Sequence, residues 1–470
     1  MNRVNLVDLF CTEFTNSTQF ISMEILTLFA CFRPLTSTTS IGQLAVIAEA
    51  LFSMTGRVTM LGISRWAENG GSYRTVQRFF ATDVPWLNLL VKFVQTHLFD
   101  SSHEYILAGD ATTITKSGAA THGIGRFFSG VLGCVVKSLE FFVFSLVDVA
   151  RRRAYPLCVK QTVRSEAEKV AIKRRKKPRQ SKKKESPKKL QGRPKGVLNK
   201  DRKKLNLSAE LLRINELLSK LLKVLRAFVK VEYLALDGHF GHNQAALMAL
   251  ENELHLISKL RRDTPLFEKY EGKQKRTGPR RKYGEKLNYE AMPIKYLQKT
   301  EVEGQLVTNY YQGIFLHKSF GMALKVVVIV KTDLKKRKVG YVILFSSDEE
   351  LGWERLIEYY SLRFQIEFNF RDAKQHFGLE DFMNTTAKGV ENAVNLSFLM
   401  VNVSAKLLKN SGENLVGIND LKTHYRGAKY ARWIIKKVLK KADPILNQEL
   451  LAEIGRLGSI HHAKAATSSA

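Results

Sequence analysis

Residues 151 to 204 hold 23 Lys or Arg against Glu166, Glu168, Glu185 and Asp201, so 23 − 4 = +19 of the chain's net +31 lies in one stretch. Like charges at that density repel, and runs such as KRRKKPRQSKKKESPKK offer too little apolar surface to fold by burial. Any fold must close around this segment and leave it outside, where it gains order only against phosphates or a similar polyanion. The whole-chain balance, with a pI near 9.9, points the same way. It favours nucleic acid as partner and argues against an ordinary metabolic enzyme.

An anionic membrane is the competing polyanion. The longest apolar run, VLGCVVKSLEFFVFSLVDVA, is cut by Lys137, Glu140 and Asp148, so no segment reads as membrane-spanning. Arg3, Asp8 and Glu13 interrupt the opening residues where a signal peptide would be apolar, and the expected location is cytoplasmic, on a prokaryotic nucleoid. Cys11, Cys31, Cys134 and Cys158 are scattered with no C-x-x-C pair, which gives neither a disulfide framework nor a zinc site and predicts buried small hydrophobes. At 470 residues the chain is long enough for two to four domains.

The patterning divides the chain into five parts. Residues 1–100 read as helical, and Ser72 can cap a helix over YRTVQRFF that presents Tyr73, Arg74, Gln77 and Arg78 as a helix-turn-helix recognition helix would. Many helical pairs look alike, so the same residues also fit a plain solvated face. Residues 101–265 alternate β-prone runs with helical ones and contain the basic insert 151–204. Residues 266–350 are β-prone with basic turns, 351–388 turn helical, and 389–470 are helical and basic. Inside the basic insert, QGRPKG at Gln191 to Gly196 resembles an AT-hook core, which implies that Arg193 and Lys195 lie in the minor groove of A·T-rich DNA. A generic polycationic tether has the same composition.

Two carboxylates stand out by position. Asp110 closes EYILAGD and Asp237 closes VEYLALDG, each following a run of apolar strand residues, and strand ends are where folds hold catalytic groups. A lone Asp before a turn is more often a turn former. A third acid lies in YYSLRFQIEFNFRDAKQHFG, Tyr359 to Gly378, read as one helix. There Tyr360, Arg363, Glu367 and Lys374 fall within roughly 60° of arc, with Tyr359, Leu362, Ile366, Phe370 and Phe377 about a quarter turn away. The helix can anchor in a core and offer its polar edge elsewhere, or that edge can simply be solvated.

Tyr360-x2-Arg363-x3-Glu367-x6-Lys374 resembles the YREK signature of insertion-sequence DDE transposases, and Asp110 and Asp237 fall in the order of that family's D, D, E triad. The resemblance covers roughly residues 104–380. It implies an α/β fold: a ribonuclease H-like core with a β-rich insertion between the second Asp and the Glu, flanked by helical DNA-binding N-terminal and helical C-terminal regions. It further implies Asp110, Asp237 and Glu367 as catalytic and metal-holding residues for two Mg²⁺ ions, with Mn²⁺ as substitute, and Tyr360, Arg363 and Lys374 as contacts to double-stranded DNA at the transposon ends and target. A homodimer on DNA is implied as well. The chemistry is consistent, since hard divalent ions take carboxylate oxygens and stabilise both oxygens of an in-line phosphoryl transfer.

The sequence departs from the family where a Trp in the β-insertion stacks a flipped base. The tryptophans are Trp66, Trp86, Trp353 and Trp433, none within 266–350, which leaves Trp353, Tyr310, Tyr311 or Phe315 for that part. His239 and His242 in DGHFGHN are too few for a metal site and read as loop or core histidines, and His122 is unassigned. Two rival readings keep the same residues: a domesticated DDE nuclease, and a non-catalytic DNA-binding protein derived from a transposase.

Overall fold

The computed structural model describes residues 24–67, 70–170, 201–412 and 415–438, with side chains to 433. Arg193, Lys195, Cys11 and the C-terminal tail lie outside the described residues. The framework is a mixed sheet of twelve strands: β1 (Tyr105–Thr115), β2 (Gly125–Ser129), β3 (Cys134–Asp148), β4 (Arg153–Gln161), β5 (Tyr233–Leu236), β6 (His255–Leu260), β7 (Leu266–Lys269), β8 (Tyr283–Lys286), β9 (Leu297–Glu303), β10 (Leu306–His317), β11 (Ala323–Asp333) and β12 (Lys338–Ser346). Their order is β2-β3-β1-β5-β6-β12-β11-β10-β7-β8, with β4 on β3 and β9 on β10. The pairs β1/β5 and β5/β6 are parallel and the other described pairs antiparallel.

Residues 266–350, read from the sequence as an insertion, supply β7 to β12. Because β12 pairs directly with β6, from Ile343↔Leu260 to Ser346↔Ile257, these strands extend the central sheet edge to edge. The basic insert leaves the sheet after β4, the partner of β3, and the chain re-enters through a long helix before β5. Arg153–Gln161, part of the stretch expected to stay outside any fold, is thus a largely buried strand, because its apolar run pairs with β3, and residues 171–200 lie outside the described residues.

The central strands are buried on both faces, and the pleat sends alternate residues to two hydrophobic clusters. Leu107 of β1 and Leu234 and Leu236 of β5 belong to the larger one, while Ile106, Ala108, Tyr233 and Ala235 belong to the smaller. The larger cluster also takes in the N-terminal helices α1 (Thr38–Ser53), α2 (Met60–Trp66), α3 (Tyr73–Ala81) and α4 (Trp86–His97), together with α5 (Ala209–Leu225) and α6 (Asn243–Glu251). Ser37, Thr59 and Ser72 each cap a helix by accepting a backbone N–H, from Ser40, Gly62 and Thr75 respectively. The helix expected after Ser72 is therefore present as α3, with Arg74 and Arg78 exposed.

Between α7 (Trp353–Leu362) and α8 (Gln365–His376) the sequence-level expectation of one helix gives way to two. At the junction Ile366 N donates to Arg363 O at 3.1 Å and Glu367 N to Phe364 O at 3.0 Å, the tighter i→i+3 pattern that bends a helix. The cause is in the packing. Leu356, Tyr359 and Leu362 of α7 are fully buried in the smaller cluster, whereas Ile366, Phe370 and Phe377 enter the larger one. Each such apolar side chain contributes about 1.5–3 kcal/mol by burial, more than the few tenths that a straight helix gains from its i,i+4 side-chain pairs. Helices α9 (Ala387–Ser411) and α10 (Ile418–Val438) complete the larger cluster.

The cysteines depart from expectation at one position: Cys158 is buried and Cys31 half-buried, but Cys134 is exposed at the start of β3. Burial pushes the Cys31 thiol up to about 11 and the Cys158 thiol to about 12, which makes both inert. Among the described residues no helix is long and apolar enough to cross a membrane.

Candidate active site

The parallel pairing of β1 with β5 aligns Leu107↔Leu234, Ala108↔Ala235 and Gly109↔Leu236. The next residue along each strand is an Asp. Asp237 thus stands just past the end of β5, beside Asp110, about 4.8 Å away in the ladder direction. Asp110 does not close its strand as expected, because β1 stays paired with β3 as far as Thr115. Parity settles their face: Ile106 and Ala108, Tyr233 and Ala235 point into the smaller cluster, so the two Asp side chains leave the sheet on that side, where α7 packs.

Gly109 makes this approach possible. A Cβ there would meet Leu236 Cδ2 at 2.7 Å, Phe144 Cε1 at 2.9 Å and Phe142 Cζ at 3.0 Å. A side chain would push β1 away from its neighbours one residue before the acid. The sequence reading missed this residue, although the Gly immediately before Asp110 was its signal. Asp237 is fixed by its own turn: its Oδ1 accepts from His239 N at 3.2 Å, and its carbonyl accepts from Ser258 Oγ at 2.7 Å.

The α7–α8 bend brings a cation to these acids. Arg363 Nη1 donates to Asp110 Oδ2 at 2.6 Å, and Nη2 stands 3.6 Å from Glu367 Oε1. The guanidinium bridges two of the three acids while its face lies 5.8 Å from the Tyr360 ring. Its side chain is only 12% exposed, and its buried Nε has no partner among the described residues. Burial pushes the Asp110 carboxyl up to about 6 against the opposing pull of Arg363 and the Ala111 N–H, with Asp237 and Glu367 adding repulsion. Burial likewise raises the Tyr360 phenol, Arg363 opposing it and the charge of Asp237 adding to it.

Five of the residues singled out from the sequence thus share one neighbourhood: Asp110, Asp237, Glu367, Arg363 and Tyr360. Lys374 stands two turns further along α8, donating to Thr113 O at 3.1 Å and pairing with Glu380 at 3.3 Å. Arg74 and Arg78 lie on α3 and do not belong to this cluster. His239 pairs with Glu210 at 3.2 Å and His242 caps α6, so both have structural partners. Of the aromatic candidates for base stacking, Phe315 is 1% exposed and sealed in the core against Tyr296, which removes it. Trp353 instead packs with Tyr310, ring centres 5.3 Å apart, beside a small cleft that Glu358 also lines.

Carboxylate oxygens are the donors a hard divalent cation takes, and Arg363 already supplies positive charge to Asp110 and Glu367. Among the described residues no group of three or more His, Cys, Asp or Glu stands close enough together to hold a metal ion. In this structure Arg363 occupies the Asp110 oxygen that such an ion would use.

Comparison with known families gives a match over residues 27–309 to the family described as DDE superfamily endonuclease, which is more than half of the chain. The chain belongs to this DDE endonuclease family. The matched span includes Asp110 and Asp237 of the DDE endonuclease and ends before the segment that carries Glu367. No curated protein matches the chain. Among solved structures, a piggyBac transposase synaptic complex with hairpin DNA, determined by cryo-electron microscopy, aligns over 92% of this chain and 82% of its own at 10% identity, with a TM-score of 0.39.

Proposed function

We propose that this DDE endonuclease is a transposase of the YREK insertion-sequence group, with a ribonuclease H-like core, that binds the terminal repeats of its element and carries out strand cleavage and strand transfer. The observation that carries the reading is the register of β1 and β5, which sets Asp110 beside Asp237 with Glu367 on the helix that covers them. A purely DNA-binding surface has no use for three acids near phosphate, where they repel it.

Asp110, Asp237 and Glu367 would hold divalent ions, Mg²⁺ or Mn²⁺, only after drawing closer than they stand in this cation-free structure. Such ions lower the barrier by stabilising charge on the attacking and leaving oxygens of the scissile phosphodiester. Arg363 neutralises Asp110 in the cation-free protein. When DNA arrives, its guanidinium turns to a phosphate oxygen, and the unpartnered Nε supplies a second donor for a two-pronged contact. Tyr360 holds the guanidinium plane in place. Lys374 adds a point charge further along the strand. Arg74 and Arg78 on α3, and Arg193 and Lys195 in the basic insert, supply contacts to duplex DNA away from the reacting phosphate. The protein acts on nucleoid DNA in the cytoplasm, as a dimer that joins two ends.

The test is direct. The protein is incubated with Mg²⁺ and supercoiled DNA carrying the sequences that flank its own coding region. Nicks at fixed positions and joining of the freed 3′-hydroxyl to a second DNA are expected. Binding with no nicking would leave the DNA-binding reading and remove the enzymatic one.

A second expectation concerns pH. Asp110 has its carboxyl raised to about 6, mainly by burial, so the protonated form is the one the folded, cation-free protein favours. Its ionisation therefore works against folding as pH rises from about 4, the unfolded value, to about 6, and that loss is complete above 6. Millimolar Mg²⁺ is expected to raise the unfolding midpoint clearly at pH 8 and hardly at all at pH 5, where Asp110 retains its proton. Equal shifts at the two pH values, read by thermal melting, would separate cation binding from this carboxylate.

A further inference from the structure

Beyond the acids, an open groove of about 1620 Å³ lies between the re-entry of the basic insert, the start of α6 and the β10–β11 turn. Its walls carry Arg202, Lys203, Lys204 and Lys282 against a single acid, Asp201. Asp201 is already engaged by the Lys203 N–H at 2.9 Å. The four cations are exposed and form no ion pair among the described residues. Uncompensated charge facing one cavity repels itself unless an anion is meant to enter.

The groove is also built rather than incidental. Asn243, 8% exposed, donates from Nδ2 to Arg202 O at 2.8 Å and accepts at Oδ1 from Gly321 N at 2.9 Å, so one buried amide ties two walls together. Gln244 fastens the next residues, accepting from Asn206 N at 2.6 Å and donating to Lys204 O at 3.3 Å. Gly321 permits the contact, because a Cβ there would lie 2.8 Å from Arg202 O. The backbone of Arg202 and Lys204 is therefore held before any ligand arrives, which lowers the ordering cost of binding. Inside, His317 is held below its ordinary range by burial and by the charge of Arg202, a sign of the positive field there.

We propose that this groove binds the sugar–phosphate backbone of DNA immediately beside the bond that is cut. The proposal rests on the reading of Asp237 as an active-site residue. The groove wall at His242 and Asn243 follows Asp237 through the short turn Gly238–Phe240. Six residues span at most about 22 Å. At 3.4 Å per nucleotide along one strand, that wall falls within roughly six nucleotides of the scissile phosphate.

The experiment compares the full chain with the triple variant Arg202→Ala/Lys204→Ala/Lys282→Ala. A control removes equal charge from the β11–β12 turn, as Lys335→Ala/Arg337→Ala/Lys338→Ala. Binding to end DNA is measured without divalent ions across a salt series, and phosphate contacts are mapped by ethylation interference. The groove variant is expected to lose two to three units of the log–log salt slope, about 0.9 per phosphate released. It is also expected to lose interference within six nucleotides of the cut, while the control keeps that pattern. An unchanged slope, or loss confined to distant phosphates, overturns the proposal, as does equal loss in the control. Wild-type cleavage is scored separately on the same DNA. Cutting with no change in the groove variant's footprint sinks the groove alone, and a wild type that never cuts sinks the catalytic reading and with it the groove's place beside a scissile bond, whatever the slope.

Discussion

Asp237→Asn is expected to reduce strand cleavage by at least about 10³-fold while end-DNA affinity stays within about twofold of wild type. The magnitude follows from the several kcal/mol that charge stabilisation at the reacting oxygens contributes, with each 1.36 kcal/mol worth a factor of ten. The substitution is structurally quiet because the bond that Asp237 makes, accepting the His239 N–H, is one that an Asn oxygen also makes. Glu367→Gln is expected to behave in the same way, since Glu367 is 43% exposed and its closest charged partner stands at 3.6 Å. Asp110→Asn differs. It keeps an oxygen for Arg363 but removes the charge facing a guanidinium that is 12% exposed, while sparing the cost of burying a carboxylate, so denaturation must be measured beside activity. Retained cleavage in any of the three, in quantitative nicking assays, would take that residue out of the catalytic set.

Much of this site was legible because its elements are local. An Asp after four apolar strand residues, twice, and a polar helix edge with spacing 3, 4 and 7 are patterns within twenty residues. The register that sets the two strands side by side is not local: Gly109 and Leu236 are more than a hundred residues apart, and nothing in either run specifies its partner. The helix bend was hidden for a related reason. Tyr359 to Phe377 has one continuous apolar stripe, but the stripe is shared between two clusters on opposite sides of the sheet, and only the tertiary arrangement shows the division. Arg363 was read as a contact to DNA because the resemblance offered that part. Its ion pair with Asp110 belongs to the cation-free protein, and no single-sequence pattern distinguishes a cation awaiting phosphate from one already holding an acid. The basic stretch 151–204 was misjudged at its start, where Arg153–Gln161 forms the largely buried strand β4: its apolar run AYPLCV was averaged into the charge of the residues that follow.

Asn392→Ala is expected to destabilise the protein by about 3–5 kcal/mol and to weaken DNA binding with it. Asn392 is 2% exposed on α9, and its amide accepts from Trp86 Nε1 at 2.7 Å and donates to the carbonyls of Phe80 at 2.9 Å and Thr82 at 2.8 Å. Truncation leaves the Trp86 donor and the Phe80 acceptor buried and unmet, each costing about 1–3 kcal/mol, and also frees the part-buried Thr82 carbonyl. The consequence reaches function because those carbonyls form the C-terminal end of α3, whose exposed face carries Arg74 and Arg78. Without the amide, α3 has only the packing of Val76, Phe79 and Phe80 to fix its orientation. Trp86→Phe removes a single bond, so its cost should be about 1–2 kcal/mol with DNA affinity nearly kept. The two variants separate the links of the argument: urea midpoints report the buried amide, and affinity measured well below either midpoint reports the placement of α3. If Asn392→Ala lowers the midpoint but leaves affinity at the wild-type value, α3 is held by its apolar face alone and the amide serves the core. If the affinity falls along with that of Arg74→Ala/Arg78→Ala, the buried amide is what turns a helical bundle into a DNA-reading surface.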